Sequence, residues 1–150
     1  MNRIGLVTVP IRKASLIPVS NMVKIASAIS QEIYIITGGQ GSSFHNTGKI
    51  KKVCVVDTQT NRVKEFRILR GILSILRATK YVGRLSKNVN LWIFPMGADL
   101  LLPAIVTAKM VGMSIIINLP SSPHAIIGEE PRWLKKILIA CAKVNLSLAD

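Results

Sequence analysis

The chain has 150 residues, of which 49% are hydrophobic and 18% are charged. This length and composition predict one globular domain with a sizeable core and exclude a disordered chain. The 20 Lys and Arg residues outnumber seven acids, which gives a formal net charge of +13. Such a field attracts polyanions, namely nucleic acid, anionic lipid headgroups or phosphorylated substrates, although a solvated basic surface without a partner has the same composition.

No sequence feature indicates a membrane span, a secretory signal or a metal centre. The uninterrupted apolar runs are shorter than the roughly 18 residues that a transmembrane helix requires, and no small-residue cleavage site follows the apolar stretch Ile4–Val9. Cys54 and Cys141 lie far apart in apolar segments, without the spacing of metal ligands. We interpret them as buried thiols of a cytosolic protein, and we expect a cytoplasmic location with neither a metal nor a cofactor.

Predicted strands and helices alternate along the chain. The strands are Ile4–Val9, Glu32–Thr37, Lys51–Asp57, a short Arg62–Phe66, Leu91–Phe94 and Ser114–Leu119. The helices are Pro18–Ser30, Ile68–Ser86, one that begins near Asp99 and ends at Gly112, and one that begins at Pro131. Pro18 and Pro103 fall in first turns, where a missing N–H costs little, and Gly112 is the residue type that favours a helix C-terminus.

Several predicted strands are continuously apolar, as in "VCVV" and "IIIN". That pattern is typical of parallel strands covered by helices on both faces. Together with the strand–helix alternation, it predicts an α/β fold with a doubly wound, mostly parallel open sheet. In such a fold, ligands bind at the carboxyl ends of the strands.

Two loops at this edge contain candidate anion-binding residues. Gly38 and Gly39 lie in "TGGQGSS", where glycines let backbone N–H groups approach a phosphate, although the loop matches neither the dinucleotide-binding nor the Walker pattern. Arg12 and Lys13 follow the first strand and are placed to contact a phosphate or pyrophosphate. The alternatives are a flexible glycine loop and a solvated basic loop.

The later loops contain the remaining candidates. Gly97 and Asp99 lie in the strand-to-helix turn "FPMGAD", where Asp99 is interpreted as a helix N-cap and secondarily as a ligand of an acceptor hydroxyl. Ser121, Ser122 and His124 lie in the loop after the "SIIINL" strand, at the same edge. A general base must reach a reacting hydroxyl, so His124 is a candidate for that role, with plain surface exposure as the alternative.

The predicted helix Ile68–Ser86 is amphipathic and basic. A stripe of cations falls on one side of it, namely Arg70, Arg77, Lys80, Arg84 and Lys87. The other side is apolar and is expected to pack on the sheet, with Ile68, Leu69, Ile72, Ile75, Leu76 and Val82. A basic helix of this type binds anionic membrane surfaces, so we expect peripheral association with the inner face of the cell membrane, with an ordinary solvated surface as the alternative. Nucleic acid is not favoured, because aromatic residues are sparse among the cations.

The order of segments resembles a known family. In particular, "LWIFPMGADLLLPAIVTAKMVGMSIIINLPSSP" followed by "LKKILIACAKVNLSLAD" looks like the N-terminal, acceptor-side Rossmann-like domain of GT-B glycosyltransferases. The resemblance implies that residues 1–150 form one acceptor-binding domain, whereas the donor-binding domain with its paired glutamates is absent from this chain. It implies a nucleotide sugar, bound through that missing domain, and a sugar or lipid-linked acceptor as partners.

The sequence departs from the family pattern at three places. Arg12 and Lys13 replace a Gly-Gly-x-Glu-like element, Pro95 and Met96 stand where a His is common, and Pro120 stands where another His is common. We therefore expect an enzyme part that is inactive on its own. The alternative is a non-catalytic basic module that binds a phosphorylated ligand or nucleic acid.

Overall fold

The computed structural model describes residues 2–8, 16–38, 41, 44, 48–56, 66–95, 101–118 and 132–149. Within these ranges the strands are β1 (Arg3–Val7), β2 (Glu32–Thr37), β3 (Ile50–Val55), β4 (Leu91–Phe94) and β5 (Ser114–Ile117). The α-helices are α1 (Leu16–Ile29), α2 (Phe66–Leu85), α3 (Leu102–Met110) and α4 (Arg132–Leu148). A short 3-10 helix, Ser86–Asn88, follows α2.

The five strands form one sheet in the order β3-β2-β1-β4-β5. Every neighbouring pair is parallel. Helix α1 packs on one face of the sheet, whereas α2 and α3 pack on the other, where α4 contacts α3 and β5. The predicted fold class, an open doubly wound parallel sheet with helices on both faces, is confirmed.

Most predicted boundaries agree with the structure to within a few residues. β2 and β4 agree at both ends. The predicted strand Arg62–Phe66 lies outside the described residues except for Phe66. The prediction is wrong for Phe66, which is the first residue of α2. Helix α3 begins at Leu102 with Leu101 as its N-cap, so the predicted start near Asp99 is wrong and Asp99 is not the N-cap.

The C-terminus of α3 explains why Gly112 is a glycine. Its φ of 76° lies in the left-handed region, which favours glycine because a Cβ there meets the backbone. The Gly112 N–H donates to the Lys109 carbonyl at 2.9 Å, and the Met113 N–H donates to the Ala108 carbonyl at 3.1 Å. This pair of bonds is the Schellman motif, and it turns the chain directly into β5.

Each face of the sheet has its own hydrophobic core. The α1 face buries Ile4, Leu6, Val19, Val23, Ala26, Ile33, Ile35 and Ile93. The opposite face holds a larger cluster that includes Val7, Ile36, Cys54, Ala78, Val82, Trp92, Phe94, Ile105 and Ile115. Side chains of β1, β2 and β4 therefore alternate between two cores, which is why these strands read as continuously apolar.

Trp92 is the largest fully buried side chain, and it fills a gap left by Gly5 on the neighbouring strand. The two residues are register partners in the β1–β4 pair. A Cβ at Gly5 would overlap Cε3 of the Trp92 ring. Trp92 Nε1 donates to Ser86 Oγ at 3.1 Å, and Ser86 Oγ donates to the Val82 carbonyl at 2.7 Å. The indole thereby joins β1, β4 and the end of α2.

The sheet-facing side of α2 differs from the predicted one. Its buried residues are Ser74, Ala78, Val82 and Leu85, whereas Ile72 and Leu76, which were expected to pack inward, are exposed. Val82 packs inward as predicted. Small residues on the inner side let the helix lie close to the sheet, so a prediction based on hydrophobicity alone placed the apolar arc too far toward Ile72 and Leu76. The side chains of Ile68 and Leu69 lie outside the described part.

We expect Gly5→Ala to destabilise the domain by about 3 kcal/mol, because the new methyl group overpacks against a tryptophan that has no room to move. The matched control is Gly71→Ala, where a Cβ in α2 would meet nothing within 4 Å. That control should stabilise the protein by up to about 1 kcal/mol, since alanine favours helix over glycine. Urea unfolding of both variants measures the difference. Equal stability of the two variants would contradict the proposed Gly5–Trp92 packing.

Candidate functional site

The carboxyl ends of all five strands meet at one edge of the sheet because the strands are parallel. β1 is the central strand. β2 and β3 follow it on one side of the sheet, and β4 and β5 follow it on the other side. The strand order reverses between β1 and β4, and open α/β sheets bind ligands at the carboxyl edge of such a reversal. Thr8 and Pro95, both buried, follow these two strands.

Two buried threonines lie at the carboxyl ends of β1 and β2. Thr8 Oγ1 donates to Thr37 Oγ1 at 2.7 Å, and both residues are almost completely buried. The backbone ladder continues alongside them, with Thr8 N–H bonded to the Ile36 carbonyl at 2.8 Å and Val56 N–H bonded to the Thr37 carbonyl at 2.7 Å. The hydroxyl pair fixes the two strand ends from which the edge loops leave.

Gly41 packs against Thr37, one member of this hydroxyl pair. Gly41 N–H donates to the Gly38 carbonyl at 3.1 Å, and both glycines are buried. A Cβ at Gly41 would overlap Thr37 Oγ1, so only glycine fits in this position. The part of the "TGGQGSS" loop that the structure describes is therefore packed tightly onto Thr37, and close backbone approach is the reason for glycine there.

Gly38 is the one predicted substrate-binding residue within the described ranges, and it lies at this edge next to Thr37. The other predicted edge residues lie outside them: Arg12, Lys13, Gly39, Gly97, Asp99, Ser121, Ser122 and His124. The parallel topology brings the loops that contain them to one edge, because each follows the carboxyl end of a strand.

The sequence analysis missed Thr8 and Thr37 as edge residues. A signal was present, since two consecutive predicted strands, "IGLVTV" and "EIYIIT", both contain a threonine at or near their carboxyl ends. Threonine is common in strands, so the type of residue did not single it out. Only the pairing register, which sets Val7 opposite Ile36, shows that the two hydroxyls meet.

The clearest electrostatic cluster lies at the opposite, amino edge. Glu32 pairs there with Arg3, whose Nε is 3.1 Å away without hydrogen-bond alignment, and with Lys51 at 3.6 Å. Tyr34 OH also donates to this carboxylate at 3.2 Å. Burial, and secondarily Glu32, raises the pKa of Tyr34 above its ordinary value of 10.0.

The described portion of the carboxyl edge offers hydroxyl and backbone groups but no acid or histidine, because Glu32 is the single acidic residue in the described ranges. Burial raises the pKa of the Cys54 thiol, so it stays protonated and unreactive at neutral pH. No group of His, Cys, Asp and Glu that could hold a metal occurs among the described residues. The two hydroxyls are buried and bonded to each other, so this portion supports the ends of β1 and β2, and ligand contacts and proton transfer need other residues.

No protein-family model matches the chain, and no curated protein matches it in sequence. Solved structures do resemble it. The C-terminal domain of the PF1911 hydrogenase from Pyrococcus furiosus is 11% identical with a TM-score of 0.62, over 79% of this chain and 92% of that one. This likeness concerns the fold alone.

Two glycosyltransferases have the same fold. Arabidopsis thaliana UGT89C1, solved with UDP-L-rhamnose, is 13% identical with a TM-score of 0.58, over 91% of this chain and 42% of that one. SnogD from Streptomyces nogalater is 13% identical with a TM-score of 0.58, over 97% of this chain and 40% of that one. The chain thus spans well under half of either enzyme. The Rossmann-like fold implied by the resemblance to GT-B enzymes is confirmed.

We expect Thr8→Val and Thr37→Val each to destabilise the domain by about 1–3 kcal/mol, because each leaves one buried hydroxyl without a partner. The double variant should cost less than the sum of the single variants, since it removes both hydroxyls from the apolar site. Urea unfolding of the four proteins gives the coupling energy. Strictly additive effects would show that the hydroxyls do not interact.

Proposed function

We propose that this chain is the acceptor-side domain of a GT-B glycosyltransferase that transfers a sugar from a nucleotide sugar to an acceptor at a cytoplasmic membrane face. A second domain supplies the nucleotide sugar, and the reaction takes place in the cleft between the two domains. The observation that carries this proposal is the carboxyl edge of the sheet, where the Thr8–Thr37 pair and Gly41 fix the ends of β1 and β2. The fold shared with two glycosyltransferases supports it.

The predicted edge residues take complementary roles in this proposal. Asp99, Ser121 and Ser122 bind hydroxyls of the acceptor, while Gly97 lets the backbone approach it. Arg12 and Lys13, with the Gly38–Gly39 backbone, bind a phosphate group of the acceptor or donor. The acceptor hydroxyl attacks the anomeric carbon, His124 takes the hydroxyl proton, and the nucleoside diphosphate leaves with the electron pair of the broken bond. The comparisons do not favour the alternative of a non-catalytic basic module.

We expect the 150 residues alone to bind glycosyl acceptors but to turn over no nucleotide sugar, because in this proposal a second domain binds the donor. Release of UDP from a panel of UDP-sugars should stay at the uncatalysed level, with or without acceptors. UDP release that His124→Ala abolishes would contradict this expectation.

Acceptor binding is measured in the same protein by thermal unfolding. A ligand at ten times its Kd stabilises the folded state by about 1.4 kcal/mol, so productive acceptors should raise the Tm, and Asp99→Ala should reduce the shift. The matched control is Lys143→Ala on α4, away from the carboxyl edge. Stabilisation by UDP-sugars instead of acceptors would show that this chain is the donor-side domain. That result would contradict the acceptor-side assignment but not the proposed glycosyltransferase function.

The cations of α2 support the membrane part of the proposal. Lys80, Arg84 and Lys87 are exposed along one side of α2 and its 3-10 extension. Arg77 is also exposed, but its Nη1 lies 3.4 Å from the Val56 carbonyl, so this residue additionally fastens α2 to the end of β3. The side chain of Arg70 lies outside the described part. Within the described ranges, no helix is long and apolar enough to span a bilayer.

We expect the domain to sediment with anionic vesicles at low salt, with each cation near the surface contributing about 1 kcal/mol. High salt should release it, because the Debye length shortens to roughly 3 Å at 1 M. Lys80→Glu with Arg84→Glu should abolish binding, whereas the matched reversals Lys24→Glu with Lys143→Glu, away from α2, should retain most of it. Equal losses in both double variants would show that net charge, and not the stripe, causes binding.

A further inference from the structure

The first described turns of α2 present three aliphatic side chains to the outside. Ile72, Leu73 and Leu76 are exposed by 48%, 43% and 56%. At 100° per residue, Leu73 and Leu76 lie roughly opposite the buried Ala78 and Val82, and Ile72 lies on the flank beside Leu76. We call these three residues the apolar tip.

The apolar tip lies at the same edge of the molecule as the candidate site. A helix that connects parallel strands begins at their carboxyl edge, and α2 connects β3 to β4. Arg77 reaches the Val56 carbonyl just past the end of β3, so the turns before Arg77 lie level with or beyond that edge.

Gly71 shows that the start of α2 extends past the core. It lies seven residues before Ala78, and therefore on the sheet-facing side of the helix, yet it is exposed and a Cβ there would meet nothing within 4 Å. The helix is about 30 Å long at 1.5 Å per residue, longer than any strand of the sheet. Its first turns therefore project from the body of the domain.

The chemistry around the apolar tip indicates what binds there. Lys80 and Arg84 follow it on the outer side of α2, and the helix contains no acidic residue. Aliphatic side chains next to cations bind best to a partner that is both apolar and anionic, and an anionic lipid bilayer is such a partner. Duplex nucleic acid would contact the cations but not the aliphatic side chains, and single-stranded nucleic acid binds through aromatic side chains that stack on its bases.

We propose that the apolar tip inserts into the headgroup region of an anionic membrane, with Lys80 and Arg84 on the lipid phosphates. The insertion brings the α2 end of the carboxyl edge to the bilayer, beside the proposed cleft, so that an acceptor carried by a lipid reaches the site without leaving the membrane. The lipid-borne acceptor rests on the proposed glycosyltransferase function, whereas insertion itself does not.

Insertion is tested with an environment-sensitive fluorophore at the apolar tip. Leu73→Cys is labelled with a nitrobenzoxadiazole dye in a Cys141→Ser background, since Cys54 is buried. Vesicles of phosphatidylcholine with phosphatidylglycerol should shift the emission to the blue and raise its intensity, and phosphatidylcholine alone should not. No shift at a lipid concentration where the protein sediments with the vesicles would overturn insertion.

The contribution of the aliphatic side chains is measured by replacing them. Ile72→Ser with Leu76→Ser should weaken partition into the anionic vesicles at least about tenfold, because the apolar area no longer leaves water. The matched control is Ile25→Ser with Ile29→Ser, which alters two isoleucines on α1 that are exposed by 63% and 60%. The control should bind like the parent protein. Unchanged binding of the tip variant, or an equal loss in the control, would overturn the proposal.

A soluble polyanion separates lipid from other anionic partners. Heparin should compete with the vesicles through the cations but should not shift the emission of the label at residue 73. A blue shift with heparin alone would overturn the lipid assignment. No outcome of these experiments depends on nucleotide-sugar binding or sugar transfer, so a failure here leaves the proposed glycosyltransferase function to its own test.

Discussion

Trp92 lies where three parts of the fold meet, and its fit depends on the absence of a side chain at Gly5. The indole of Trp92 on β4 lies against Gly5 on β1. Its N–H donates to the Ser86 hydroxyl, which in turn donates to the Val82 carbonyl near the end of α2. The β1–β4 pair is also the place where the strand order reverses, which is where open α/β sheets bind ligands. The packing that positions α2 against the sheet therefore involves the same strand pair as the candidate site.

The same sheet does not by itself select an activity. A domain of a hydrogenase and two glycosyltransferases share this fold at 11–13% identity, so function must come from the loops at the carboxyl edge. In this chain the strand ends beneath those loops are held rigidly, by the Thr8–Thr37 hydroxyl bond and by Gly41 packed on Thr37. A rigid base with variable loops is the arrangement that lets one fold serve different ligands.

The sequence predicted the sheet well because its signals are local. β2 and β4 are short apolar runs bounded by polar residues, and Gly112 ends α3 through a motif that depends on a few neighbouring residues. The start of α3 was missed because Asp99 favours an N-cap by residue type, whereas Leu101 fills that position without a side-chain bond. The Thr8–Thr37 pair was missed for a different reason: it depends on the register between β1 and β2, which no local pattern specifies.

Helix α2 shows why hydrophobic periodicity can assign a helix and still misassign its faces. The side toward the sheet is made of Ser74, Ala78 and Val82, because close approach to the strands favours small side chains. On the side toward α3, a Cβ at Gly83 would make an ordinary van der Waals contact with Thr107 Cγ2 at 3.5 Å. Ile72, Leu73 and Leu76, nearer the start of α2, are left exposed, and Lys80 and Arg84 follow them along the helix. Such a helix buries one side in the core and exposes aliphatic side chains next to cations on its outer side. This outer combination is typical of membrane-binding surfaces.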